Sequence, residues 1–180
     1  MPLSPVAIET NEKSFSEVGG KLISFSYSGS CKETNFDGDY VTAKALEFLA
    51  SQGFNDMRPV WVNLSDNVYT INFAGSKDDV IIYSDLVKVR VCAETAAVIG
   101  MEATSYYTNH TERVINKAAL SAEQARSKVS SSIDVITCRK AIVPIGEKSE
   151  KLCYEFSGTY DGSAYFVYID AETGRQVEMF

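Results

Sequence analysis

The chain has 180 residues, 45% of them hydrophobic and 11% aromatic, which is enough apolar surface for one or two small cores and too much for a disordered segment. Its formal charge is −7 and its pI about 4.8, and the 17 basic residues are scattered, so the clustered positive charge that a phosphate backbone requires is missing. No apolar run approaches the roughly 20 residues of a membrane helix. The N-terminus lacks the basic segment and apolar stretch of a signal peptide. A soluble chain without nucleic-acid or membrane contact is expected.

In chain order, the first structured signal is Val18-Gly19-Gly20-Lys21-Leu22-Ile23, a polar turn followed by a short apolar strand. Its glycine pair is too short for a phosphate-binding loop and does not lead into a helix. Asp37 then caps a predicted helix whose Val41, Ala45, Phe48 and Leu49 form one apolar stripe ending near Gly53. Beyond it, Val60, Val62 and Leu64, then Tyr69, Ile71 and Phe73, then Val87, Val89 and Val91 alternate with period two. This predicts an antiparallel sheet with one face covered by the helix.

Residues 93–99, Ala-Glu-Thr-Ala-Ala-Val-Ile, have an echo at residues 171–177, Ala-Glu-Thr-Gly-Arg-Gln-Val, and each reads as the closing hairpin of a repeated unit. Between the units, residues 103–119 form a connection containing Tyr106, Tyr107, His110 and Arg113. Ser121-Ala122-Glu123-Gln124 has the spacing of a capping box, with Ala125, Val129 and Ile133 continuing an apolar stripe. Ser130, Ser131 and Ser132 favour bonds to the local backbone outside a helix, so this second helix is expected to stop early.

The order of helix and then several strands, twice over, predicts α+β units and not a parallel βαβ sheet. Each is expected to be one helix packed on an antiparallel sheet. The expected boundaries are 1–36 for the last strands of a truncated upstream unit, 37–115 for a complete unit and 116–180 for a second. If Asp161-Gly162 is a two-residue turn, Tyr154 faces Ile169 and Phe156 faces Val167 on the core side, while Glu155 faces Tyr168 and Ser157 faces Phe166 on the other. Phe166 and Tyr168 are therefore the candidate interface residues, covered either by the neighbouring repeat or by a partner protein. In the first unit either Ile81 and Tyr83 or Lys88 and Arg90 occupy the corresponding positions, and the sequence admits both.

The residues hold no recognisable catalytic set. His110 is the only histidine and reads as a linker or packing residue near Arg113. Glu155, Asp161, Asp170 and Glu172 read as solvated or capping carboxylates in preference to a glycosidase pair. Cys31, Cys92, Cys138 and Cys153 have no Cys-x-x-Cys spacing and read as ordinary thiols, although four cysteines allow three pairings. No catalytic, cofactor or metal residue is assigned.

The helix stripe of Val41, Ala45, Phe48 and Leu49 is similar to that of the PepSY module. Three further stretches, Tyr107-Thr108-Asn109-His110-Thr111-Glu112-Arg113, the Leu120–Ala125 run and Leu152-Cys153-Tyr154-Glu155-Phe156, resemble YpeB-type spore germination proteins, in the same order over residues 14–180. The resemblance implies tandem PepSY repeats and a non-enzymatic role beside a spore cortex-lytic enzyme, a peptidoglycan hydrolase that the protein binds, stabilises or restrains until germination. A broader reading of PepSY implies a peptidase-inhibitor-like module. The resemblance also implies a location in the spore, outside or at the inner spore membrane. Family members carry an N-terminal membrane anchor and a further domain not recognised in these 180 residues, so a C-terminal fragment is expected.

Overall fold

A computed structural model describes residues 12–15, 20–146 and 149–179; Val18 and Gly19 of the first turn signal lie outside them. The chain divides into two compact units. The first holds the described residues up to Phe73 together with Leu86–Thr108, and the second holds Ala74–Asp85 together with the residues from Asn109 onward. Both are α+β and dominated by strands.

In the first unit the spatial order is β1 (Glu12–Phe15), β2 (Leu22–Ser26), β6 (Val98–Glu102), β5 (Val80–Cys92), β4 (Val68–Lys77) and β3 (Met57–Ser65), with the far ends of β4 and β5 belonging to the second unit. The β1–β2, β2–β6 and β5–β6 pairs are antiparallel. Tight turns at Asp66-Asn67 and Asp78-Asp79, all four residues at positive φ, close the β3–β4 and β4–β5 hairpins. The helix α1 (Gly38–Ser51) begins where the Asp37 carboxylate accepts from the Tyr40 amide at 2.8 Å, and it ends before Gly53 at φ 90°. Its Val41, Ala45 and Leu49 share a core with Ile71, Phe73, Val87, Val89 and Val91. Half-buried Phe48 meets the Phe25 ring edge-on at 5.9 Å.

The strand β3 departs from its predicted pattern. Among its residues only Met57 joins the buried core; Val62 and Leu64 are exposed. Among the described residues the strand lies at the sheet edge, joined to β4 alone, so alternation there does not translate into cover.

The second unit is built on β7 (Asp134–Gly146), β8 (Ser149–Tyr160), β9 (Ser163–Asp170) and β10 (Gln176–Val177), each antiparallel to its neighbour. The start of β5 adds to β7 in parallel, Val80 to Lys140, Ile81 to Ala141 and Ile82 to Ile142. The expectation of a wholly antiparallel sheet is corrected here. Between β5 and β7 the chain runs through β6, α2 (Thr104–Asn109) and α3 (Ala122–Arg126), a crossover long enough to return a strand in the same direction. Period-two alternation is blind to strand direction.

At α3 the capping box is complete: Ser121 Oγ accepts from the Gln124 amide, and Gln124 Oε1 accepts from the Ser121 amide at 2.8 Å. The helix stops after five residues, and Ser130 Oγ accepts from the Ser132 amide in the turn that follows. Ala125 is on the helix, whereas Val129 and Ile133 reach the same core through turns.

Repetition extends to individual bonds. The Asn35 and Phe36 amides donate to Ala93 O, and the Ala119 and Leu120 amides donate to Ala171 O. Ala96 N–H closes onto Cys92 O as Gly174 N–H closes onto Asp170 O. Tyr69 donates its hydroxyl to Phe36 O at 3.2 Å, and Tyr154 donates to Leu120 O at 2.8 Å. Each unit thus fastens its helix lead-in to its Ala-Glu-Thr turn with the same set of backbone bonds.

Candidate functional site

The β8–β9 hairpin carries both predicted interface residues. Asp161 and Gly162 take φ of 49° and 74°, as a two-residue turn with both central residues left-handed requires, and this fixes the register. Tyr154 pairs with Ile169 and Phe156 with Val167, and all four join the core under α3. On the other side Glu155 pairs with Tyr168, and Ser157 with Phe166.

Phe166 and Tyr168 share that side but not an environment. Tyr168 is 7% exposed, its ring edge-on to Tyr83 at 6.1 Å. Beside it Glu155, 1% exposed, accepts from Arg139 Nε at 2.7 Å and from the Tyr83 hydroxyl, while Arg139 Nη2 donates to the Tyr83 oxygen at 2.9 Å. Burial, and then the hydrogen bond to Glu155, lifts the Tyr83 hydroxyl well above its usual range. Burial and then the Glu155 charge push Tyr168 up to about 12. Both phenols stay protonated at neutral pH. Glu155, expected to be solvated or capping, is instead the buried centre of a closed ion pair.

Phe166 is 42% exposed, with Tyr160, Tyr165 and Ile136 also exposed at the same end of the hairpin. The Tyr160 and Tyr165 rings meet edge-on at 5.9 Å. Ile136 is thrust outward by a register shift between Val135 and Thr137 on the β7–β8 ladder. A Cβ on Gly158 would lie 2.4 Å from Asp134 O, so only glycine admits that approach. Since β10 reaches only Tyr168 and Ile169, the first half of β9 has no strand on its outer side among the described residues.

A second polar cluster gathers around the connection. Asp85, buried on β5, lies 2.6 Å from His110 Nδ1 and accepts from Arg113 Nη1 at 3.2 Å. Arg113 also donates through Nε and Nη2 to Glu150, which takes a bond from Ser84. Burial alone would raise Glu150, but Arg113 and Ser84 outweigh it and hold its carboxyl below the usual range. His110 stays in the connection beside Arg113, exposed and hydrogen-bonded to Asp85, a partner that carried no sequence signal.

The cysteines require a correction. Cys31 and Cys92 form a disulfide across a sequence separation of 61, with Cα atoms 5.8 Å apart. Cys138 and Cys153 are free, the second buried and raised by that burial to about 12. Asp161 sits in the exposed hairpin turn, whereas Asp170 caps the Glu172 and Thr173 amides and pairs with Lys151. Among the described residues no three of His, Cys, Asp and Glu converge as metal ligands.

Comparison with known proteins accounts for the repeats. Residues 8–116 match the family described as YpeB sporulation, PepSY1 and PepSY2 domains, and residues 119–180 match the peptidase propeptide and YPEB domain. The sporulation protein YpeB of Halalkalibacterium halodurans is 32% identical over 158 residues, covering 88% of this chain and 35% of the relative, and that of Oceanobacillus iheyensis is 31% identical over the same shares. The chain therefore spans about a third of the length of these relatives. The solved Bacillus megaterium YpeB C-terminal domain superposes with a TM-score of 0.83 at 30% identity, covering 93% of this chain and 75% of that one. This chain belongs to the YpeB family of sporulation proteins.

Proposed function

We propose that the chain is a non-catalytic module that binds a spore cortex-lytic peptidoglycan hydrolase and stabilises or restrains it until germination, outside or at the inner spore membrane. The observation that carries this reading is the exposed end of the β8–β9 hairpin. There Tyr165 and Phe166 stand on a strand edge with no partner among the described residues, next to Tyr160 and Ile136. Aromatic surface of this kind is enriched in protein interfaces, and an open edge supplies backbone donors and acceptors for a partner. The polar clusters support a binding role in another way. Glu155 and Asp85 are both paired with arginines, Arg139 and Arg113, in the manner of structural ion pairs. Among the described residues no helix is long and apolar enough to cross a membrane.

Co-purification of the chain with a cortex-lytic hydrolase, followed by titration of the pure proteins, tests the reading. A saturable complex supports it, and no binding at tens of micromolar, a weak affinity for a dedicated partner, rejects it. The match of residues 119–180 to a peptidase propeptide model favours a second reading, a peptidase-inhibitor-like module. Inhibition of a protease panel with no hydrolase binding would select it.

A further inference from the structure

We propose that the Cys31–Cys92 disulfide is made by exchange with an oxidised dithiol carrier, Cys31 attacking the carrier first, and that the bond locks the lead-in to α1 onto the end of β5. Three observations within the first unit carry this.

Beside the disulfide, a frame of hydrogen bonds holds the same two segments. Asn67 Nδ2 donates to Cys31 O at 3.2 Å and Thr34 Oγ1 to Asn67 Oδ1 at 3.0 Å. The Lys32 amide donates to the Glu94 carboxylate at 2.8 Å, and Asn35 Nδ2 to Glu94 O at 3.2 Å. These bonds tie the same two segments that the disulfide joins.

The two sulfurs also differ in access: Cys92 is 5% exposed, while Cys31 is half-buried on the lead-in to α1. An external disulfide meets Cys31 first. The Cys31 thiolate attacks one carrier sulfur, forming a mixed disulfide and expelling the other carrier sulfur as a thiolate. The Cys92 thiolate then attacks Cys31 Sγ and releases the carrier's second thiolate. Two thiols of the chain lose two protons and two electrons, and the carrier's disulfide gains them.

Position in the repeat supplies the third observation. Cys92 and Asp170 each precede the Ala-Glu-Thr turn and make the same backbone bonds, so the second unit places a Lys151 ion pair where the first places a covalent link. Cys138 and Cys153 do not offer a rival pairing. Their register partners on the β7–β8 ladder are Phe156 and Ala141, three positions apart, which puts the two thiols on opposite faces of the sheet.

The test uses the 180-residue chain produced in an oxidising compartment. Alkylation in denaturant without reductant should label only Cys138 and Cys153, and digestion should yield a linked Cys31–Cys92 peptide; labelling of all four cysteines overturns the proposal. In a Cys138→Ser background, oxidised glutathione should modify Cys31 of the Cys92→Ser chain about tenfold faster than Cys92 of the Cys31→Ser chain. Equal or reversed rates overturn the assigned order. Reduction should speed amide exchange at Asn35 and Phe36 by about tenfold or more and leave Ala119 and Leu120 unchanged, and the Cys31→Ser/Cys92→Ser chain should match the reduced protein. Unchanged protection at Asn35 and Phe36 in both overturns the lock.

Discussion

Glu155 shows what a single buried carboxylate demands of its surroundings. Its charge is kept by Arg139 and by the Tyr83 hydroxyl, and removing the guanidinium would strand that charge in a site with almost no water. Arg139→Met is expected to cost about 3 kcal/mol, the low end for a broken buried pair because Arg139 is itself a third exposed. Urea unfolding with linear extrapolation measures it, and a cost within experimental scatter would mean that Glu155 is solvated or protonated. Asp170 gives a pH test in the same unit. Burial alone would raise its carboxyl, but the Lys151 ammonium and the Glu172 and Thr173 amides outweigh that and hold it at about 2, below the ordinary 3.8. A carboxyl depressed in the folded state contributes stability in full above its unfolded value and loses it as the pH falls through the folded one. The stability gap between the wild type and Asp170→Asn should therefore narrow from about pH 4 to about pH 2; a gap constant across that window would show that the ion pair contributes nothing. The capping by Asp170 was legible in its turn, whereas its Lys151 pair and the Glu155 partnership were not. Glu155 lies in a strand between apolar residues, and only the pairing of three separate strands brings Tyr83 and Arg139 to it.

At the scale of elements, local chemistry was the most readable part of the chain. Asp37 and Ser121 each begin the helix their side chains predicted, the second helix stops early, at Arg126 and ahead of the serine run, and Asp161-Gly162 sets the hairpin register residue by residue. These signals act within a few residues and survive whatever surrounds them. Strand direction, edge position and disulfide pairing do not: the parallel β5–β7 contact, the exposed Val62 and Leu64 and the Cys31–Cys92 bond all depend on where distant segments meet. The β7–β8 bulge belongs to this second group, and glycine marks it. Gly158→Ala would drive a methyl into the Asp134 carbonyl, a backbone group that gives way only by shifting its strand. A loss of about 1–3 kcal/mol, as for other overpacked sites, is expected in chemical unfolding. A neutral substitution would show that the two strands are farther apart at the bulge.

For the whole molecule, the separation of Phe166 from Tyr168 turns one predicted surface into two distinguishable roles. Tyr168 stands over Glu155 against Tyr83, so truncating it removes core contacts, whereas Phe166 stands in the open at the unpaired end of β9. Tyr168→Ala should destabilise the chain by about 3 kcal/mol or more, in the range of buried aromatic truncations. Phe166→Ala should leave the melting temperature within a degree or so, because a side chain exposed on an edge strand contributes little to folding. If the proposed hydrolase complex uses this end of the hairpin, Phe166→Ala should raise its Kd by about tenfold or more, the effect of losing an aromatic anchor of at least 1.4 kcal/mol. Paired thermal melts and binding titrations of the two variants decide between the roles. Equal binding by the wild type and Phe166→Ala would move the contact elsewhere, and the exposed Val62 and Leu64 on the edge strand β3 are then the next residues to truncate.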